Sequence, residues 1–311
     1  MNSGCPPPLS PMPQSKTTPS AVNSLGLLYG FLAYGSWGIL PIYWKLLSSV
    51  TALEVLCHRM IWSTLFLLLV LGIRKELRSF FSLFQSPRLL LFLLGTATLL
   101  ACNWGTYIYA VNIDRVVETS LGYFMTPLLN ILLGCLVLRE RLSRLQGIAV
   151  GLAVLGVANF IWGFGAVPWF ALILASSFAF YGLCRKLIPV SPLCGITIET
   201  LLLAPFALLW LGLQPDNAFG SGVEITLLLC LAGVVTSLPL FCFNTAAKLL
   251  PLSTLGFLQY LAPSLQLLLG IFLYGEPFTR THFVSFGLIW TALGLYTVHL
   301  LQHREPSPQP E

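Results

Sequence analysis

Charge is what this sequence has least of. Only 9% of its 311 residues are Asp, Glu, Lys or Arg, against about a quarter in a soluble globular chain. At the same time 56% are hydrophobic, with a mean hydropathy of +0.84. So few charges cannot cover the surface of a water-soluble domain of this length, and a soluble fold is excluded. Histidine is also scarce: of the four, His282, His299 and His303 stand near loop ends or the C-terminus. No clustered His, Asp or Cys marks an acyl- or phosphoryl-transfer site, so the chain is read as not an enzyme. No phosphate-cradling glycine loop is found, hence no ATP hydrolysis by the chain itself, and no metal or other cofactor is expected. The eight cysteines lack close pairing and nearly all fall in apolar stretches, as small buried hydrophobes do. No basic run resembles a nucleic-acid patch. Residues 1–24, with six prolines among Ser and Thr, have no apolar core segment. They are expected to form a disordered cytoplasmic tail rather than a cleaved signal, with a second tail at 302–311.

What the chain does have is long apolar runs. Crossing a hydrocarbon layer about 30 Å thick takes roughly 20 residues of helix, with every backbone group bonded inside the segment. Ten such spans fit: 25–44, 52–72, 89–111, 119–138, 145–164, 166–184, 193–213, 225–247, 252–274 and 281–301. The expected fold is an all-α integral membrane protein of ten transmembrane helices. Taking alternate ends of the spans, twelve Lys and Arg fall on one side (among them Arg74, Lys75, Arg139, Arg141, Arg144, Arg185 and Lys186). Four (Lys45, Arg59, Arg115 and Arg280) fall on the other. That bias places both termini in the cytoplasm.

The chain also carries its pattern twice. Pro127-x2-Asn130-x3-Gly134-x5-Glu140 recurs as Pro263-x2-Gln266-x3-Gly270-x5-Glu276. Leu121-Gly122-Tyr123 recurs as Leu255-Gly256-Phe257, and Ser36-Trp37 with Lys45 as Ser177-Phe178 with Lys186. Glu54 then answers to Glu199. These correspondences divide the membrane portion into repeats at 25–164 and 165–301. Each has five spans, an odd number, so the second enters the membrane inverted. Inverted repeats are a scaffold for alternating access to a site near the midplane.

The same residues resemble a known family, the EamA branch of the drug/metabolite transporter superfamily, and within it the RarD-type proteins. The resemblance covers about residues 25–300. It is carried by Trp37-Gly38 with Pro41 to Lys45, Glu54-x3-His58-Arg59-x2-Trp62-Ser63, Asn103-Trp104, Glu118 to Pro127, Phe178 to Arg185, Glu199-Thr200, and Ser253 to Pro263 with Tyr274-Gly275-Glu276. It implies two EamA repeats of five helices, a bacterial cytoplasmic membrane and a permease. The family name carries an association with chloramphenicol sensitivity but no assigned substrate.

Polar residues at membrane depth are the candidates for function. Glu54 and His58, four apart, share a face of the second span, with Arg59 about 100° round. Ionisable groups there cost a few kcal/mol and normally face a cavity or a partner. Arg59 reads either as a member of a substrate or proton path with Glu54 and His58, or as a snorkelling residue with Glu54 as counter-ion. Glu199 reads as a proton-exchanging mate of Glu54 or as half of a structural ion pair. Lys45 and Lys186 read as headgroup anchors or as attractors of an anionic solute, and Glu140 and Glu276 as structural. Pro127 and Pro263, inside spans, should kink their helices. Together with Tyr123, Asn130, Gln259, Tyr260 and Gln266 they suggest a midplane pocket, joined by Trp37, Asn103, Trp104, Phe178 and Tyr181. The expected partners are a small-molecule solute and the lipid bilayer; a homodimer is left open. The competing function is an assembly subunit with no flux of its own.

Overall fold

The computed structural model describes residues 23–113, 116–164, 167–275 and 280–302. The sequence features at Arg115 and Glu276, and residues 1–22 and 303–311 of the two expected tails, lie outside them. The chain runs through α1 (Ser24–Leu46), α2 (Ala52–Ile73), a short α3 (Leu77–Ser82) with a 3-10 turn (Leu83–Gln85), α4 (Pro87–Asn112), α5 (Val116–Leu136) and α6 (Arg144–Phe164). It continues through α7 (Trp169–Leu187), α8 (Pro192–Leu213), α9 (Val223–Leu249), α10 (Leu252–Gln259), α11 (Leu261–Phe272) and α12 (Arg280–Gln302). Ten spans result, α10 and α11 being two pieces of one. Nine are long and apolar enough to cross a bilayer among the described residues, and α5 contributes a shorter apolar stretch, Leu121–Leu136.

Four of the spans, α1, α2, α6 and α8, start where side chains satisfy free N–H groups. Asn23 Oδ1 accepts from the Leu25 and Gly26 amides at 3.0 and 3.1 Å, Thr51 Oγ1 from Glu54 and Ser191 Oγ from Cys194. Ser143 and Gln146 cap α6 reciprocally. Large apolar side chains such as Trp162, Phe206 and Phe272 point outward, as a lipid-facing belt requires and a soluble protein does not tolerate. Inward, small residues let backbones approach. A Cβ on Gly233 of α9 would lie 2.3 Å from the Trp62 carbonyl carbon of α2, and Ser63 Oγ donates to the Gly233 carbonyl across that crossing.

The packing repeats itself under exchange of the halves. α4 and α5 lie against α7, the first span of the second half, just as α9 and α10–α11 lie against α1, the first span of the first half. α2 packs on α8 and α6 on α12, each span on its own counterpart.

The structure adds two features to the expected map. The loop between the second and third spans folds into α3 and its turn, with Phe80 fully buried against Phe81 and Phe84. The two prolines also behave differently. Pro127 sits within an uninterrupted α5, whereas the span containing Pro263 is broken at Tyr260. Without an N–H, Pro263 cannot bond back to Gln259.

Candidate solute-binding site

A cavity of about 550 Å³ opens in the half of the bundle that carries the α1–α2 loop, within the size range of small-ligand sites. On α1 the wall is a single stripe: Tyr34, Trp37, Pro41 and Trp44, spaced by three or four residues so that they stack along one helix face. Asn103, Trp104 and Tyr107 of α4 and Thr119, Tyr123 and Thr126 of α5 close one side. Thr236 and Leu240 of α9 and Gln259, Ala262, Pro263 and Gln266 of α10 and α11 close the other. Both halves of the chain therefore contribute. The Pro263 break keeps the two turns it separates on the wall, and Gln266 Nε2 donates to the Trp37 carbonyl at 3.1 Å, tying α11 to α1.

Arg59 is the one charged side chain on the described wall. Its guanidinium carbon lies 4.5 Å from the ring centre of Trp104 and 5.7 Å from that of Trp44, over the faces of both indoles. Among the described residues no carboxylate pairs with it, and its Nε is buried without a hydrogen-bond partner.

A match to the EamA-like transporter family covers residues 24–162 and again 166–298. The chain belongs to the EamA-like transporter family. Its relatives make it a RarD-type member. It is 43% identical over 277 residues to protein RarD of Escherichia coli, covering 88% of this chain and 94% of that one. It is 33% identical over 279 residues to the chloramphenicol-sensitive protein RarD of Pseudomonas aeruginosa, covering 88% and 93%. An uncharacterized transporter of Vibrio cholerae is 46% identical over 277 residues, covering 88% and 92%. A solved crystal structure shares the fold at a TM-score of 0.68 and 18% identity, over 88% of this chain and 98% of that one. The protein is thus a multi-pass membrane protein of a bacterial transporter family.

Below the cavity the two EamA halves are closed against each other. Phe243, fully buried on α9, is ringed by Tyr34, Trp37, Phe178 and Tyr181 at centroid separations of 5.0 to 6.2 Å. Beneath this aromatic floor Glu199, with no exposed surface, accepts from Thr96 Oγ1 at 2.6 Å and from the Tyr181 hydroxyl at 3.0 Å, and lies 3.6 Å from Arg185 Nη1. Asn244 completes the network, accepting from Arg185 Nε at 3.2 Å and donating to the Tyr181 hydroxyl at 2.8 Å. Gly195 makes room for the guanidinium, since a Cβ there would fall 2.0 Å from Arg185 Nη1. Further along, Glu140 accepts from the Leu252 and Ser253 amides at 2.6 and 2.9 Å and from Ser253 Oγ at 2.6 Å, capping α10 from α5's end. Lys186 donates to the Ala247 and Leu250 carbonyls, and Lys248 to that of Ile188.

Of the sequence candidates, the cavity wall brings together Trp37, Arg59, Asn103, Trp104, Tyr123, Phe178, Gln259, Gln266 and Pro263. It does not bring in Glu54 or His58. Glu54 Oε1 accepts from the Ala218 amide at 2.6 Å, and His58 stacks on Phe219 at 4.9 Å, so both hold the α8–α9 loop. Glu199 and Tyr181 belong to the network under the floor. Asn130 is buried behind the wall, donating to Gln259 Oε1 at 2.7 Å, and Tyr260 is buried beside it. Lys45 sits 3.7 Å over the Tyr274 ring. Sequence reasoning missed Trp44, Tyr34 and Tyr107 on the wall, and Arg185 and Asn244 beneath it. The three aromatics were readable as i±3 and i+7 neighbours of Trp37 and Trp104. Arg185 offered no such signal, because it adjoins a second cation at a helix end.

Proposed function

We propose that this EamA protein is a secondary permease of a bacterial cytoplasmic membrane, moving a small metabolite or drug-like solute by alternating access around this cavity. The observation that carries the reading is the asymmetry of the bundle: both halves line a cavity that reaches from mid-helix Tyr34 to one end only, while the other end is tied by Glu140, Lys186 and Lys248. The twelve-to-four bias of basic residues supports cytoplasmic termini, and with them a cavity facing outward. The name of the P. aeruginosa relative supports keeping drug-like solutes in the class.

Proton coupling is the finer part of the proposal. Glu54 and Glu199 are both engaged away from the cavity in this state, so a coupled cycle requires that closing the outer end expose Glu199. Purified protein reconstituted in proteoliposomes and challenged with a metabolite panel, with and without an imposed pH gradient, tests both levels. Saturable counterflow of at least one panel member is expected, faster with the gradient. Flux indifferent to the gradient removes the coupling and leaves the permease. No flux of any member through folded, inserted protein overturns transport in favour of an assembly role.

A further inference from the structure

Three residues of the cavity wall each carry a buried polar atom without a partner: Arg59 Nε, the Tyr34 hydroxyl and Thr236 Oγ1. Burying one such group unpaired costs about 1–3 kcal/mol, so three on the wall of one cavity point to a ligand that satisfies them. The charge balance says what kind. Arg59 brings a full positive charge, and no described acidic residue lines the wall to neutralise it. Its guanidinium carbon lies over the rings of both Trp104 and Trp44, contacts that use the π faces of the indoles and consume none of its N–H donors. A guanidinium with unspent N–H donors takes an oxyanion through two parallel hydrogen bonds. Beyond it the wall is mostly apolar, aliphatic and aromatic, with hydroxyl and amide groups at intervals.

From this arrangement we infer that the solute is a small organic anion. A carboxylate or phosphate group is held by the edge of Arg59, an apolar or aromatic body lies between Trp37, Trp44 and Trp104, and a hydrogen-bonding group reaches Tyr34 and Thr236. The inference rests on the proposed function in taking this cavity as the solute site. A lipid headgroup carries the same oxyanion chemistry, so the test excludes and then restores it.

The experiment is a fluorescence titration, since Trp37, Trp44 and Trp104 all line the cavity. Protein in nanodiscs of pure phosphatidylcholine is titrated with phenylacetate, its neutral isostere phenylacetamide, and phenyl phosphate. At least one of the two anions is expected to bind tenfold or more tighter than the amide. Arg59→Lys should retain part of that preference and Arg59→Gln should abolish it, with unfolding midpoints checked for both. A preference that disappears when phosphatidylglycerol replaces the neutral lipid would assign the site to headgroups and overturn the solute assignment. Equal binding of acid and amide by the parent protein, no binding of either anion, or an undiminished preference in Arg59→Gln would overturn the anion site itself. The two readings fail separately. Anion binding without counterflow sinks the permease but leaves the site, whereas flux of neutral solutes unaffected by Arg59→Gln does the reverse.

Discussion

At the scale of single residues, Arg185 and Glu199 set the firmest energetic expectation. Neither has any exposed surface, so each charge relies on the other and on Thr96, Tyr181 and Asn244. Arg185→Met leaves Glu199 uncompensated and should destabilise the protein by about 3–5 kcal/mol, measured by chemical unfolding in mixed micelles. Adding Glu199→Gln removes the stranded charge, and R185M/E199Q should recover to within about 2 kcal/mol of the parent. A double variant no better than R185M would mean that Arg185 acts by filling the space over Gly195 and not by its charge. The residues of α2 show how far sequence reaches at this scale. Spacing alone groups Glu54 with His58 and turns Arg59 away from them, and the structure keeps that grouping. It could not say which face looks into the cavity, because apolar residues surround α2 on every side and no polar stripe marks the interior. The basic partner of Glu199 was a stated alternative, yet nothing singled out Arg185 from Lys186 beside it.

Elements are more legible, because each span had to be long and apolar to exist. The ten segments read from hydrophobic runs all return as spans, with ends moved by a few residues. What could not be read was which proline breaks its helix, since that depends on neighbours. α10 is held on α5, where Gly256 lies close to the Pro127 carbonyl and Glu140 grips its first turn, while α11 packs on α1. Two pieces answering to two partners part at Tyr260, three residues before the proline that lacks the N–H of the linking hydrogen bond. α5, packed along α7, has no such division and carries Pro127 unbroken. Pro263→Ala should therefore fuse α10 and α11. Hydrogen exchange at the amides of 260–264 is expected to slow about tenfold, and cavity ligands to bind more weakly as Ala262 and Gln266 rotate off the wall. Unchanged exchange would place the cause of the break in packing alone. The α3 turn was invisible for a related reason: its apolar residues are too few to form a periodic signal, and the turn is fixed by Phe80 docking under the bundle.

For the molecule as a whole, the two inverted copies have the same scaffold but in this state are not in the same conformation. The end holding Arg59 is open, and the opposite end is latched by Glu140 on the first turn of α10. On the proposed alternating-access reading, exchanging the conformations of the copies opens the latched end, inward by the proposed orientation, and closes the cavity, and the energy of that latch then sets how rarely the inward-open state is visited. Glu140 accepts three hydrogen bonds as a carboxylate, and Gly134 allows it close, a Cβ there lying 2.7 Å from Glu140 Oε2. Glu140→Gln replaces one accepting oxygen by an amide that faces N–H donors, a loss of roughly 1.5–3 kcal/mol for a charged hydrogen bond. The inward-open population should rise by the corresponding factor, about tenfold or more. A cysteine at Thr254, buried beside the latch, reports it. In inside-out vesicles its labelling by an impermeant thiol reagent, measured above that of the chain without it, should accelerate about tenfold when Glu140→Gln is added. Equal labelling rates with and without the substitution would mean that Glu140 keeps its grip on α10 throughout the cycle, and that the two halves move about some other contact.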